Sequence, residues 1–354
     1  MRISQYETYL KGCRFCTMCT PFGEVWEIVK DEPHCTRIRA LILWQILKGY
    51  AEWNEDVARL LYETTLDSVS QAWCINHYPV PEYILAARAD IFEAGFAPET
   101  VSDYSVKENL SWAHRIKSFA KDDSDTVLYP GDSIAANDVA STEAILKVFL
   151  QNDQHVSITP ELLSCGGLAY CLGKHEQAKH FAKKVVHCLE GYSKIIVDGP
   201  LSYWMLTQIY PSMGIEFPER VEISIIYDYL NEFYCNQDIH PTLDGRYIYL
   251  LGSEFSRLTA VGYGPLKKLF DCVNGFALIE PKDGLEYASG SGVGGALHIA
   301  CPALARRVSQ QRIVDAIQSG ADYMICDSPL DASHLRSVSK GELQILTLPE
   351  WLQV

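Results

Sequence analysis

The segment Cys13-Arg14-Phe15-Cys16-Thr17-Met18-Cys19 sets three thiols at a regular C-x2-C-x2-C spacing. A 4Fe–4S cubane takes four thiolates. A turn of this spacing wraps three corners, and a cysteine distant in sequence closes the fourth. Zinc more usually takes two separated C-x2-C pairs, so the third cysteine favours iron–sulfur over a four-cysteine zinc site. The fourth ligand has two candidates. Cys74 stands in AWCINHYPVPEYILAARADIF, where a turn with two prolines passes into a helical pattern with Ile84, Ala87, Ile91 and Phe92 on one side. Cys35 stands in EPHCTRIRALILWQILKGY, also at a helix start. The expectation is one 4Fe–4S cluster on Cys13, Cys16, Cys19 and Cys74, with Cys35 as the alternative to Cys74. His34 and His77, beside Cys35 and Cys74, are read as surface or helix-capping residues. Trp26 and Trp73 are read as core.

The elements that must hold these thiols are helical. The patterns flanking the run predict an all-α, ferredoxin-like module over about residues 1–110. The whole chain has 354 residues and 48% hydrophobic content, enough for further domains. Its formal net charge of -15 repels phosphate backbones, so nucleic acid is not an expected partner. No run of about 18 or more apolar residues occurs, so no membrane span is expected, while peripheral association stays open. The opening MRISQYETYLKGC has no apolar h-region and is not read as a secretory signal. These features point to a cytoplasmic chain whose twelve cysteines stay thiols. Cys165, Cys171, Cys188, Cys235, Cys272, Cys301 and Cys326 fall mostly in apolar or helical text and are read as packing residues.

Downstream, one order of elements occurs twice. DTVLYPGDS leads through LLSCGGLAYCLG and the helical KHEQAKHFAKKVVHCLEG to KIIVDGPLS. RYIYLLGSEF leads through YASGSGVGGAL and the helical CPALARRVSQQRIVDAIQSG to ADYMICDSPLD. Short apolar runs alternating with helices argue for α/β units with parallel strands. The fold class is therefore α+β overall, with the helical module followed by two α/β repeats over 120–240 and 241–354.

The order of cysteine run, basic helix start (Thr36-Arg37-Ile38-Arg39), Cys74 and Tyr78-Pro79-Val80-Pro81 resembles the iron–sulfur subunits of the heterodisulfide reductase, glycolate oxidase and anaerobic glycerol-3-phosphate dehydrogenase group. Those proteins carry two cysteine motifs, each ending in Cys-Pro, for two cubanes. Here Thr20-Pro21 and Gly23 stand near the first motif, and Gln71 and Tyr78 stand at cysteine positions of the second, so one cluster is implied. The repeats resemble the family's paired cysteine-rich (CCG) domains. Asp132, Ser164 with Cys165, Gly199 and Ser202 stand at the first copy's cysteine turns. Ser253, Gly290, Ser291, Ser328 and Asp331 stand at or around those of the second. Serine and aspartate serve iron–sulfur clusters poorly beside thiolate, so the resemblance implies a retained scaffold without C-terminal clusters. It also implies a flavoprotein dehydrogenase as partner.

Gly290, Gly292 and Gly295 match G-x-G-x-x-G formally. The segment KDGLEYA separates them from the β-like FALIE, so they are read as the family's Gly-rich turn and not as a dinucleotide loop. No G-x-S-x-G, H-E-x-x-H or Walker motif occurs. Asp198, Asp327 and Asp331 lie at strand ends, where α/β sites form, but turn and capping roles explain them equally. Two readings follow: an iron–sulfur electron-transfer subunit of an oxidoreductase, without catalysis of its own, or a structural and assembly subunit with a structural metal. An independent enzyme with a remodelled pocket ranks third.

Overall fold

Residues 1–106, 112–117, 124–235, 247–273 and 276–353 are described in the computed structural model. Among them, no strand precedes Thr126, as the helical patterns predict. The helices Glu7–Cys13, Glu24–Val29, Thr36–Leu47, Glu55–Tyr62 and Ser68–Ala72 precede Val80–Glu93, against which Glu55–Tyr62 and Ser68–Ala72 pack, while Glu7–Cys13 packs on Thr36–Leu47. Pro81 sits in the first turn of that helix, where a missing N–H leaves no bond unmade. Alanines in its middle permit close packing, and Ile84, Ala87 and Ile91 are fully buried. Asn54 starts the helix Glu55–Tyr62 by accepting from the Val57 N–H at 2.9 Å.

These helices belong to a compact unit of three segments, Met1–Ser105, Leu168–Gln177 and Lys282–Arg312. The second unit comprises Val106–Gly167, Ala178–Pro281 and Ile313–Val354. The sequence division at 110 and 240 runs along the chain, whereas these units draw on separated stretches. Arg88 ties the first unit together. Its buried guanidinium donates to the carbonyls of Leu61 (3.0 Å), Thr64 (2.6 Å), Cys171 (3.0 Å) and Gly295 (2.6 Å), reaching all three segments. The planar five-donor fork suits such a junction of backbone acceptors. Gly295 reaches it at φ +56°, where a Cβ would press on the backbone at Thr65 and Leu66.

In the second unit, β1 (Thr126–Tyr129), β2 (Ser157–Ile158), β3 (Lys194–Val197) and β4 (Glu222–Ile225) form a parallel sheet in the order β2-β1-β3-β4. Then β5 (Tyr247–Leu251), β6 (Ala277–Ile279), β7 (Tyr323–Cys326) and β8 (Gln344–Thr347) repeat it as β6-β5-β7-β8. The registers correspond: Tyr129 pairs with Val197, and Leu251 with Cys326. The internal repeat is thus a repeat of topology, and the chain is α+β with parallel strands. The central strands are apolar on both faces, as parallel strands covered by helices must be. The edge strands β2 and β8 have no strong pattern in sequence.

One expectation fails. Cys235 and Cys272, read as packing thiols, form a disulfide with Cα atoms 4.9 Å apart. The helices Ile226–Tyr234 and Gly264–Cys272 bring their C-terminal ends together. Spacing along the sequence carries no trace of that crossing.

Candidate cluster-binding site

The three-thiol run leaves the end of the helix Glu7–Cys13 as successive turns: Cys16 N–H donates to Cys13 O (3.0 Å), and Phe22 N–H to Cys19 O (3.0 Å). Cys74 follows the short helix Ser68–Ala72 in a further turn, closed by His77 N–H on Cys74 O at 2.9 Å with His77 at φ +48°. Two contacts bring these segments together. The Tyr78 ring packs against Gly12, where a Cβ would collide with its hydroxyl. Tyr9 meets Tyr78 edge to face, with centroids 5.6 Å apart.

The consequence is a shared neighbourhood of sulfur. Cys13 interacts electrostatically with Cys16, Cys19 and Cys74, and Cys19 with Cys74. Burial pushes the Cys13 thiol up to about 12, and the neighbouring thiols add to this against the Tyr83 hydroxyl 3.8 Å away. Burial and the charge of Asp67 push Cys19 up to about 11, against the facing hydroxyls of Ser70 and Thr36. Asp67 accepts from both hydroxyls, and Arg39 lies 3.8 Å from it. Hydroxyls, a carboxylate and a guanidinium therefore stand in order behind Cys19. None of these supporting residues announces itself in sequence, because they come from the separate helices Thr36–Leu47, Ser68–Ala72 and Val80–Glu93.

Cys35 turns elsewhere. It sits at the N-terminal end of the helix Thr36–Leu47, and its thiol donates to the Glu32 carbonyl at 2.8 Å. Burial raises its pKa, with Arg39 opposing. His34 contacts Asp31 and Glu63. Trp73 stacks on Phe22 at 3.8 Å, and Trp26 lies beneath the Lys30 ammonium. Among the described residues, no three His, Cys, Asp or Glu side chains are gathered as ligands of a single metal ion.

The repeats show what replaces cysteine at their turns. In a parallel sheet of order β2-β1-β3-β4 the strand order reverses between β1 and β3, and ligands usually enter at the carboxyl ends there. Here Asp198, after β3, accepts from the N–H groups of Asp132 (2.9 Å) and Ser133 (2.8 Å), after β1. Asp132 answers by accepting from Leu201 (3.0 Å) and Ser202 (2.7 Å). Each carboxylate caps the helix that follows the other strand. Burial raises the pKa of both, the charge of Asp198 adds to the rise at Asp132, and the Ser133 and Asp132 hydrogen bonds oppose it at Asp198. Cys165 lies beside Asp132 and Ser202, its thiol raised by burial to about 12. In the second copy Asp327 accepts from Ser253 N–H (2.7 Å) and the Ser256 hydroxyl (2.6 Å). Burial, with Asp331 adding, pushes Asp327 up to about 7. Both crossings are closed by hydrogen bonds to buried carboxylates. Asp198 caps the helix Gly131–Ala136, whereas Asp327 holds Ser253, whose own hydroxyl caps Glu254–Leu258.

The Gly-rich turn does not form a dinucleotide loop. β6 ends at Ile279, well before Gly290, and Gly290 N–H donates to the Glu24 carboxylate at 2.9 Å. Ser289 and Arg312 meet Glu27 at 3.1 and 2.7 Å.

No protein-family model matches the chain, and no curated protein matches it significantly. A solved structure described as a hypothetical protein from Helicobacter pylori is similar with a TM-score of 0.57 at 13% identity, covering 99% of this chain and 75% of that one. That likeness is one of fold alone. An aspartate racemase homologue from Pyrococcus horikoshii OT3 reaches a TM-score of 0.29 at 10% identity, covering 64% of this chain and 95% of that one, too little for any argument.

Proposed function

We propose that the chain is an iron–sulfur electron-transfer subunit of a cytoplasmic oxidoreductase complex, with one 4Fe–4S cluster on Cys13, Cys16, Cys19 and Cys74. The observation that carries this reading is the shared neighbourhood of four thiols from two segments held together at Gly12 and Tyr78. The donor set is soft sulfur, which suits iron–sulfur or zinc and not magnesium or calcium. A cubane's four thiolates bind its four separate irons and so stand farther apart than the ligands of one ion, and a single-ion grouping is not what a cluster requires. When bound, such a cluster supplies reversible one-electron transfer. The chain's own residues would tune it. Tyr83 would supply its hydroxyl to the Cys13 sulfur, Ser70 and Thr36, whose protons go to Asp67, stand beside Cys19, and burial excludes water.

The resemblance to heterodisulfide reductase-type subunits supplies the flavoprotein dehydrogenase as partner. The carboxylate-capped turns support a scaffolding role for the repeats within such a complex, with degenerate CCG domains. They are also the specific observation favouring the second reading, a structural or assembly subunit with a structural metal.

Anaerobic purification with iron and sulfide counting tests the proposal. The expected result is broad visible absorbance bleached by dithionite, with about four irons per chain. Cys74→Ser is expected to abolish the colour, and Cys35→Ser to retain it. A colourless protein containing zinc refutes electron transfer and leaves the structural reading.

A further inference from the structure

The thiol loops carry a surface unlike the rest of the molecule. Ile75 (77% exposed), Phe15 (76%), Tyr50 (75%) and Met18 (61%) are four of the five most exposed large hydrophobic side chains among the described residues. Phe15 and Met18 fill the intervals between the candidate ligands, and Ile75 follows Cys74 directly. Phe15 and Tyr50 are joined by a fixed cation: the Arg14 guanidinium lies 4.2 Å from the Phe15 ring and 4.1 Å from the Trp44 ring, and Trp44 meets Tyr50 at 6.0 Å. Cation–aromatic stacking on both sides holds that charge at the rim.

Charge sets the same surface apart. The chain has 45 acidic residues in 354, about one in eight. Residues 8–22 and 68–81 contain none, while Lys11 and Arg14 stand in the first stretch. Exposed apolar side chains beside two cations, on loop stretches without a carboxylate of their own in a chain of net charge -15, complement an acidic protein surface with an apolar middle.

We infer that Phe15, Met18 and Ile75, with Arg14 and Lys11 at their edge, form the docking surface for an acidic, flavin-bearing one-electron carrier protein. The inference rests on the iron–sulfur reading above and names where the electron enters. A carrier seated here lies over the loops that hold the sulfurs. One electron leaves the carrier's reduced flavin, one enters the cluster, and no atom or proton passes between the proteins. The same surface features could serve an anionic membrane, but the strongly negative remainder of the chain opposes that.

Reduced flavodoxin serves as the probe in anaerobic stopped-flow measurements on the cluster-loaded full-length protein. The triple variant F15S/M18S/I75S is expected to lower the second-order rate of cluster reduction at least tenfold. Its iron content and its reduction by dithionite stay at wild-type values. Arg14→Gln is expected to weaken the dependence of the rate on ionic strength. Leu150→Ser, an exposed position in the other unit, is the control and leaves the rate unchanged. A triple variant with full iron and the wild-type rate overturns the docking surface while leaving the cluster reading intact. Protein isolated without iron overturns both. Wild-type protein that sediments with phosphatidylserine vesicles while the triple variant does not assigns the patch to membrane and also overturns the proposal.

Discussion

Arg88→Met tests how the thiol-bearing unit is held together. Methionine fills much of the volume but donates nothing. Four carbonyls within 3.0 Å of the guanidinium then lose a charged donor inside the protein. A hydrogen bond to a charged group contributes roughly 1.5–3 kcal/mol, and some carbonyls recover water or a relaxed partner, so a net loss of about 4–6 kcal/mol is expected. Arg88→Lys keeps the charge but has at most three donors in a compact head, so about half of that loss should return. Hydrogen exchange followed by mass spectrometry resolves the effect by segment. About 1.4 kcal/mol is a factor of ten, so ~4 kcal/mol lowers the protection of the best-protected amides roughly a thousandfold. The loss should fall together on residues 61–65, 168–177 and 282–312, the stretches that Arg88 bonds. Protection within a factor of ten of wild type, or loss confined to residues 61–65, refutes Arg88 as the common tie.

Three further outcomes are expected. Gly12→Val forces the Tyr78 ring off the helix Glu7–Cys13 and separates the two thiol segments, so iron per chain should fall by more than half after reconstitution while far-ultraviolet circular dichroism is kept. Asp327, buried with its pKa raised to about 7, binds its proton more tightly folded than unfolded, so its contribution is complete below its ordinary pKa of 3.8 and is lost as pH rises through about 7. Asp327 should therefore contribute roughly 2–3 kcal/mol to the fall in stability between about pH 5 and about pH 8, read from urea midpoints, alongside the Asp132–Asp198 pair, and Asp327→Asn, whose amide can accept from Ser253 N–H and donate to the Ser256 hydroxyl, should lessen that fall by about as much. A fall unchanged in the variant removes Asp327 as a source of it. Cys235→Ser/Cys272→Ser opens a loop with a sequence separation of 37 and should destabilise the second unit by about 3–4 kcal/mol, read as a lowered thermal midpoint.

The fold was legible where a sequence pattern has to satisfy one requirement at a time. The helix Val80–Glu93 buries Ile84, Ala87 and Ile91 of its apolar pattern, but Phe92 of the same pattern is half-buried and nearly all of Val80 to Ile91 is buried, so the pattern showed the helix and not a single buried side. The central strands β1, β3, β5 and β7 show as apolar runs because both faces are covered. The edge strands β2 and β8 escape, since Ser157–Ile158 is too short for any period and Gln344–Thr347 alternates only weakly. The candidate site was legible in its sulfurs, because a motif with fixed spacing is a local signal. Its supporting shell was not. Thr36, Asp67, Ser70 and Tyr83 meet Cys13 and Cys19 only through tertiary packing, and each is a common residue type in an ordinary helix or turn. The Cys235–Cys272 bridge was hidden for the same reason, since two helix ends must first be brought together.

The three-part composition of the thiol-bearing unit has a consequence for the order in which the molecule can be made. Ribosomes deliver the chain from its amino end, so Cys13 to Cys74 emerge early, whereas Gly295, a carbonyl partner of Arg88, and the segment Lys282–Arg312 emerge about 200 residues after Ser105. At roughly 5–20 residues per second that interval is about 10–40 s. Throughout it the thiol segments have their own contacts, such as Tyr78 on Gly12, but Arg88 lacks the Gly295 carbonyl that joins the last segment to the unit. A nascent chain of this design has the residues to gather its thiols early, and synthesis of residues 282–312 completes the unit afterwards.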